Sequence, residues 1–149
     1  MRLEDEIKTR FQSPAHKLMV NIIYTHNWVT SYMQQYFKEN GVTNQQYNIL
    51  RILRGQFPKP STIQLLRERM LDKQSDVSRL VDRLKSKGLL NRKPSKVDRR
   101  KMDIVISKKG LELLESMDET VNTLQEEGFT RLEKHELEEL NNLLDKLRG

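Results

Sequence analysis

The stretch from Asp72 to Ser107 constrains the fold of this chain more than any other part of its 149 residues. Asp72 is predicted to be the N-cap of a short helix, because its carboxylate can accept hydrogen bonds from the free amides of a first turn. Apolar residues then recur at helical spacing and form one stripe, which consists of Val77, Leu80, Val81 and Leu84. Gly88 follows the last turn, where a left-handed residue is favoured. The pattern predicts a helix with one buried and one polar face.

After Gly88 the pattern becomes extended. Leu89–Lys93 and Met102–Ser107 are predicted to be two strands, because the second is rich in β-branched residues and both flank a turn-forming segment. That segment, PSKVDRRK, holds a proline, an aspartate and four cations. A ribbon end of this composition cannot contribute to a core. Its charge therefore serves either solubility or the binding of a polyanion.

Two capping boxes precede this stretch. Thr43 with Gln46, and Ser61 with Gln64, each have the spacing in which a hydroxyl and an amide cap one helix start reciprocally. The helix that Ser61 opens is predicted to join the next one through a turn near Leu71. Two short helices joined by a turn form a helix-turn-helix, and with the ribbon after them the unit is a winged helix.

The string DVSRLVDRLKSKGLLNRKPSKVDRRKMDIVISKKG resembles the recognition helix and wing of the MarR (multiple antibiotic resistance regulator) family. The matching parts are SRLVDRL, the KGLL helix stop, the wing pair Asp98 and Arg100, and the strand that ends in IS-KKG. The order of helices extends the resemblance over essentially the whole chain. It implies a mainly α fold with a small β-ribbon, in which residues 43–107 form a winged-helix DNA-binding domain. Residues 1–42 and 108–149 would form a helical dimerisation region.

Charge is concentrated in the middle of the chain. Residues 51–110 hold 18 Lys/Arg against 6 Asp/Glu, whereas the other 89 residues hold 9 against 15. A basic centre with acidic flanks predicts a focused patch that binds a polyanion, and double-stranded DNA is the partner we expect. Residues 111–149 are acidic and carry more leucines than a small winged helix needs to bury. The surplus predicts a homodimer interface.

Several other classes of protein are disfavoured. The chain has no cysteine, no run of about 18 apolar residues and no apolar N-terminal segment, so we expect a cytoplasmic protein without disulfides or a membrane span. It has no glycine-rich phosphate loop, and its histidines (His16, His26 and His135) lack metal-ligand spacing. We therefore expect no enzyme activity, no cofactor and no metal site.

The polar face of the predicted recognition helix holds the candidate base contacts. A helix in the major groove reads base edges with its first turns, where Gln pairs with adenine, Arg with guanine and Ser with either. The residues placed for this are Gln74, Ser75, Ser78 and Arg79. Each also has an ordinary structural role open to it, such as a helper at the helix start or a solvated charge. Asp76 would either stabilise the helix N-terminus or accept a bond from a cytosine amine.

The wing supplies a second set of candidates. By resemblance, Arg100 would enter the minor groove and Asp98 would hold its guanidinium, while Lys96 and Arg99 would contact phosphates. The alternative is a solvated turn held by an Asp–Arg pair. Further phosphate contacts are expected from Ser61 and Thr62, at a helix N-terminus, and from Arg83.

Members of the MarR family are typically homodimers that bind pseudo-palindromic operators, mostly repress, and often release DNA when a small ligand binds. By that resemblance, Tyr24, His26 and Trp28 are candidates for the lining of a ligand cleft, although plain packing of helices is the more ordinary role for each of them. Two other functions stay open. One is an architectural protein that binds nucleic acid without sequence preference, and the other is a winged helix used for protein–protein contact.

Overall fold

The computed structural model describes residues 2–149, which are mainly helical with one two-stranded sheet. The elements in chain order are α1 (Leu3–Ile7), α2 (Pro14–Glu39), α3 (Asn44–Gln56), α4 (Ile63–Arg69), α5 (Val77–Ser86), β1 (Leu90–Pro94), β2 (Met102–Ile106), α6 (Lys108–Gly128) and α7 (Lys134–Arg148). The chain divides into two compact units, a first that ends at Tyr47 and a second, Asn48–Gly149.

The long helix α2 dominates the first unit. It begins after Ser13, whose hydroxyl accepts a hydrogen bond from the His16 amide at 3.1 Å, and Pro14 occupies the first turn. It ends at Glu39, and Gly41 follows with a left-handed φ of +72°. The ring of Phe37 stacks on Tyr47 with 4.4 Å between the ring centroids. This aromatic contact is part of the small core of the first unit.

The capping box at the start of α3 is confirmed. The Gln46 side chain accepts from the Thr43 amide at 3.2 Å, and the Thr43 hydroxyl accepts from the Gln46 amide at 3.1 Å. This reciprocal pair starts the helix immediately after the α2–α3 turn.

The second unit is built around an apolar core to which α3–α6 and both strands contribute. Its largest fully buried side chains are Ile49, Leu50, Leu53, Leu66, Met70, Val77, Val81, Leu84, Leu90, Ile104, Leu114 and Met117. The apolar stripe predicted for α5 is thus confirmed, with Leu80 half-buried at its edge. The end of α5 also follows the prediction, because Gly88 has a φ of +72° and the Leu89 amide donates to the Leu84 carbonyl at 3.0 Å.

The two strands pair antiparallel from Leu90 with Ile106 to Pro94 with Met102. Both strands therefore lie within one residue of their predicted bounds. Ser61 adds a short bridge to Ile104 through two backbone hydrogen bonds of 2.8 Å.

That bridge corrects one predicted cap. Ser61 does not cap α4, because its backbone pairs with Ile104 and its side chain is buried. Thr62, the next residue, is the N-cap, and its hydroxyl accepts a hydrogen bond from the Leu65 amide at 3.2 Å.

The prediction that Asp72 caps α5 is also wrong. The N-cap is Asp76, whose carboxylate accepts from the Arg79 amide at 3.1 Å. Asp72 lies in the turn between α4 and α5, where its carboxylate accepts from the Gln74 amide at 3.0 Å. The recognition helix therefore begins four residues later than predicted.

The last two helices extend from the end of the ribbon. Ser107 caps α6, accepting from the Gly110 amide at 3.0 Å, and α6 ends at Gly128. The last helix, α7, buries none of its residues. Among the described residues, no helix is long and apolar enough to cross a membrane.

Candidate nucleic-acid interface

The predicted base-contacting residues fall into two groups around the start of α5. Ser78 and Arg79 lie in its first turn, with Arg79 exposed and Ser78 half-buried. Gln74 and Ser75 lie ahead of the helix, in the turn, and not on its first turn as predicted. Gln74 is exposed. Ser75 Oγ is shielded from solvent without a hydrogen-bond partner among the described residues, so a base contact would require this side chain to rotate outward.

Two roles were open to Asp76, which were stabilisation of the helix N-terminus and acceptance of a bond from a cytosine amine. The structure shows the first of them. The Asp76 carboxylate sits at the N-cap of α5, where it satisfies the Arg79 amide and complements the positive end of the helix dipole.

An ion pair joins α5 to the ribbon. Arg92 of β1 donates to the Asp82 carboxylate at 2.7 Å, and Asp82 is largely exposed. The negative charge of Asp82 is thereby compensated by the strand. The cations Arg79 and Arg83 remain exposed on the same helix, so its solvent face stays net positive.

The wing is a tight turn closed by backbone bonds. The Lys101 amide donates to the Asp98 carbonyl, and the Ser95 amide donates to the Lys101 carbonyl, each at 2.9 Å. Asp98 also accepts from the Arg100 amide at 3.1 Å and from Arg100 Nε at 3.2 Å. The Arg100 amide, followed by its guanidinium, holds the pKa of Asp98 below its usual value.

This geometry holds the Arg100 cation at a defined position on the wing. The Arg100 side chain is 93% exposed although its Nε is held by Asp98. Lys96 and Arg99 are exposed beside it. A guanidinium fixed at its inner nitrogen and open to solvent suits a narrow minor groove, where negative potential is concentrated.

The predicted phosphate contacts differ in accessibility. Arg83 is exposed on α5. Ser61 is only 1% exposed, so its side chain cannot reach a phosphate, which corrects its prediction. Thr62 is half-buried, and its hydroxyl already accepts the Leu65 amide bond, which leaves its hydrogen free to be donated.

The candidate ligand-cleft residues lie on α2 and are all exposed. Tyr24 and Trp28 share a helix face, whereas His26 lies on the opposite side because two residues correspond to about 200° of rotation. The Tyr24 hydroxyl donates to Glu6 at 3.0 Å, and this hydrogen bond raises the pKa of Tyr24. The i+4 spacing extends to Tyr32, which the sequence reasoning missed and which stacks on Trp28 with 6.1 Å between ring centroids.

No group of three or more His, Cys, Asp or Glu residues within residues 2–149 is arranged to hold a metal ion.

Comparison with known proteins agrees with this architecture. A model of the MarR family matches residues 40–101. The chain is 27% identical over 120 residues to the HTH-type transcriptional repressor IacR of Pseudomonas putida, a match that covers 80% of this chain and 71% of IacR.

Solved structures share the fold over nearly the whole length. The crystal structure of a MarR transcription factor from Planctomyces limnophilus superposes with a TM-score of 0.70 at 29% identity, covering 91% of this chain and 98% of that one. The structure of Bordetella bronchiseptica BpsR, whose DNA binding is regulated by 6-hydroxynicotinic acid, gives 0.78 at 22% identity and covers 89% and 99%. The family match, the relatives and the recognition helix with its wing together lead to one conclusion. These findings support a winged helix-turn-helix, DNA-binding transcriptional regulator that is similar to members of the MarR family.

Proposed function

We propose that this regulator binds a pseudo-palindromic operator as a homodimer and represses transcription until a small ligand releases it. The observation that carries the DNA-binding part is the exposed Arg100 guanidinium, held by Asp98 on a wing that follows a basic, solvent-facing α5. Two such units related by a two-fold axis would place their α5 helices in successive major grooves, about 34–36 Å apart.

Each group of the interface has a separate role in this proposal. Arg79 and Ser78 of α5, with Gln74 and Ser75 of the preceding turn, read base edges in the major groove. Arg100 enters the minor groove, and Asp98 orients it. The remaining contacts go to phosphates, which fix the register of the protein on the duplex, and they come from Lys96, Arg99, Arg83 and Thr62.

The domain assignment follows from these roles. Residues 43–107 would bind DNA, and the helical segments 1–42 and 108–149 would dimerise. The exposed leucines of α7 support the second part, since a helix with no buried residue and an apolar stripe is stable when a partner covers that stripe. A repressor acts where its DNA lies, and in bacteria that place is the cytoplasm. We therefore propose a cytoplasmic location for this protein.

The effector site is proposed on the face of α2 that carries Tyr24 and Trp28. Exposed aromatic rings at i and i+4 offer a stacking surface, and the Tyr24 hydroxyl offers a polar contact once Glu6 is displaced. His26 points away from this face. BpsR, which shares the fold, responds to a small aromatic acid, and this supports a planar ligand for the present chain.

The decisive test is fluorescence anisotropy on DNA from upstream of the gene, against a scrambled duplex of equal length, at two salt concentrations. The protein should first be unfolded and refolded to remove any bound ligand. We expect the upstream DNA to bind more tightly by roughly 10³-fold or more. Sedimentation of the complex should give two chains per duplex.

The same experiment separates the rival functions. Equal affinity for both duplexes with a steep salt dependence would mean an architectural protein. An absence of salt-dependent binding to either duplex would mean that the winged helix contacts proteins instead.

A further inference from the structure

Leu71 is an apolar side chain left almost entirely in water. It is 87% exposed, whereas the other exposed large hydrophobic residues among 2–149, apart from Val97 at 98%, lie between 37% and 57%. It stands in the turn between α4 and α5, directly after the buried Met70. Burial of an apolar side chain is favourable, so a position that keeps a leucine outward needs a physical reason.

The turn holds Leu71 in this position through its backbone. The Leu71 amide donates to Asn48 Oδ1 at 2.9 Å, and the Met70 amide before it donates to the Leu66 carbonyl at 2.9 Å. On the other side, Asp72 accepts from the Gln74 amide at 3.0 Å. Hydrogen bonds on both sides of Leu71 therefore hold the backbone of the turn in the arrangement that leaves its side chain exposed.

The surroundings indicate what would cover it. The same turn carries the proposed base-reading residue Gln74, and it precedes α5, whose first turn carries the exposed Arg79. The exposed Asp72 and Asp76 offset the charges of Lys73 and Arg79, so the local charge alone selects no partner. The partner already proposed for Gln74 and Arg79 is DNA, and to cover Leu71 it must present an apolar group beside them. In the major groove that group is the C5-methyl of thymine, the apolar feature that distinguishes this base there.

We propose that Leu71 contacts thymine C5-methyl groups in the major groove and thereby adds a preference for T to each operator half-site. The inference rests on the proposed function, because it presupposes a specific operator. It adds an apolar readout to the polar contacts of α5.

The test replaces thymine by deoxyuridine, which removes only the methyl group. The operator is first selected from randomised duplexes with the wild-type protein, and each thymine of both half-sites is then replaced in turn. We expect one or two positions at which the wild-type affinity falls by about fourfold per half-site, the value of one methyl group. Leu71→Ala should bind the thymine operator more weakly and should be insensitive to uridine at those positions. Leu71→Met, which keeps the apolar contact, should retain the sensitivity.

The experiment distinguishes a failure of the Leu71 inference from a failure of the proposed function. If Leu71→Ala shows the same uridine penalties as the wild type, or weakens scrambled DNA as much as the operator, Leu71 does not read thymine although the proposed function stands. If the selection yields no operator, both proposals fall. Thermal unfolding of each variant, expected to match the wild type because Leu71 is exposed, ensures that binding losses do not come from misfolding.

Discussion

Gly110 lies in the first turn of α6, where the helix meets the end of the ribbon. A Cβ atom there would stand 2.3 Å from the Leu89 carbonyl oxygen and 2.7 Å from Ile106 Cγ1. Because a backbone carbonyl cannot move aside cheaply, Gly110→Ala is expected to lower the free energy of unfolding by about 2–3 kcal/mol. Urea-induced unfolding followed by circular dichroism measures this loss.

Gly55 provides the matched control. It lies within α3, and a Cβ there would meet nothing within 4 Å. Gly55→Ala is therefore expected to stabilise the protein by about 0.5–1 kcal/mol, the usual gain of alanine over glycine inside a helix. Equal losses in both variants would show that the contact with Leu89 is not what requires Gly110.

Arg79 and Arg100 are expected to have different signatures on DNA. Arg79→Ala should cost about 1–3 kcal/mol, concentrated at one base position of the operator. Arg100→Ala should weaken binding and reduce the preference for A·T pairs beside the half-sites. Anisotropy titrations over a set of single-base operator variants measure both. Arg131→Ala, an exposed cation of the acidic C-terminal segment, is the control and should leave affinity unchanged.

Two pairs of residues that lie close in sequence show why the sequence alone does not decide which residue caps a helix. Asp72 and Asp76 are equally good caps by chemistry, and so are Ser61 and Thr62. The choice is made by tertiary contacts that lie far away in sequence. Ser61 is drawn into a bridge with Ile104, and the anchoring of Leu71 by Asn48 keeps the chain in a turn beyond Asp72.

At the scale of elements, local signals were sufficient for most of the fold. The Val77–Leu84 stripe and the helix end at Gly88 were predictable because each acts within one or two helical turns. The ion pairs between elements could not be predicted from local signals. Arg92 with Asp82, and Arg54 with Asp118, join residues 10 and 64 positions apart, and many other charges of the chain were equally eligible partners.

The Arg54–Asp118 pair links α3 to α6 and should make stability depend on pH. Its two hydrogen bonds are 2.8 and 2.9 Å, and the Arg54 guanidinium lowers the pKa of Asp118 from its ordinary value of 3.8. A lowered pKa in the folded state means that the contribution is fully present above pH 3.8 and is lost as the pH falls through the folded-state pKa. Since both side chains are partly exposed, at 29% and 40%, solvent screening limits the contribution.

Asp118→Asn is therefore expected to lower the free energy of unfolding by about 1 kcal/mol at pH 7, and the difference from the wild type should shrink once the pH falls below 3.8. Denaturant unfolding at a series of pH values measures it. Asp145→Asn removes the exposed partner of Arg148 on α7 and should cost less than about 0.5 kcal/mol. A loss that stays constant down to the lowest pH would assign the effect to packing.

At the scale of the whole molecule, charge and apolar surface are divided along the chain. The basic residues 51–110 coincide with the helix-turn-helix and wing, while the acidic residues 111–149 form α6 and α7. Acidic helices would be repelled by DNA, so their exposed leucines have a protein surface as their natural cover. This division was readable from the sequence. The geometry of the proposed dimer was not, because an apolar stripe favours a partner without fixing the crossing angle between the two helices.

The leucines of α7 allow the dimer and its role in DNA binding to be tested together. Leu140 and Leu147, exposed at 46% and 56%, lie one heptad apart on a helix that buries none of its own residues. Replacing both by glutamate should give a monomer by analytical ultracentrifugation while the helical circular dichroism remains. A monomer binds one half-site at a time and loses the effective concentration that links the two. Its operator affinity is therefore expected to fall by about 10²–10⁴-fold, whereas its weak affinity for scrambled DNA should change little. Asn142→Glu adds a charge on the opposite face of α7 and should leave the protein dimeric. A double variant that is monomeric yet binds the operator with unchanged affinity would mean that one winged helix recognises its site alone.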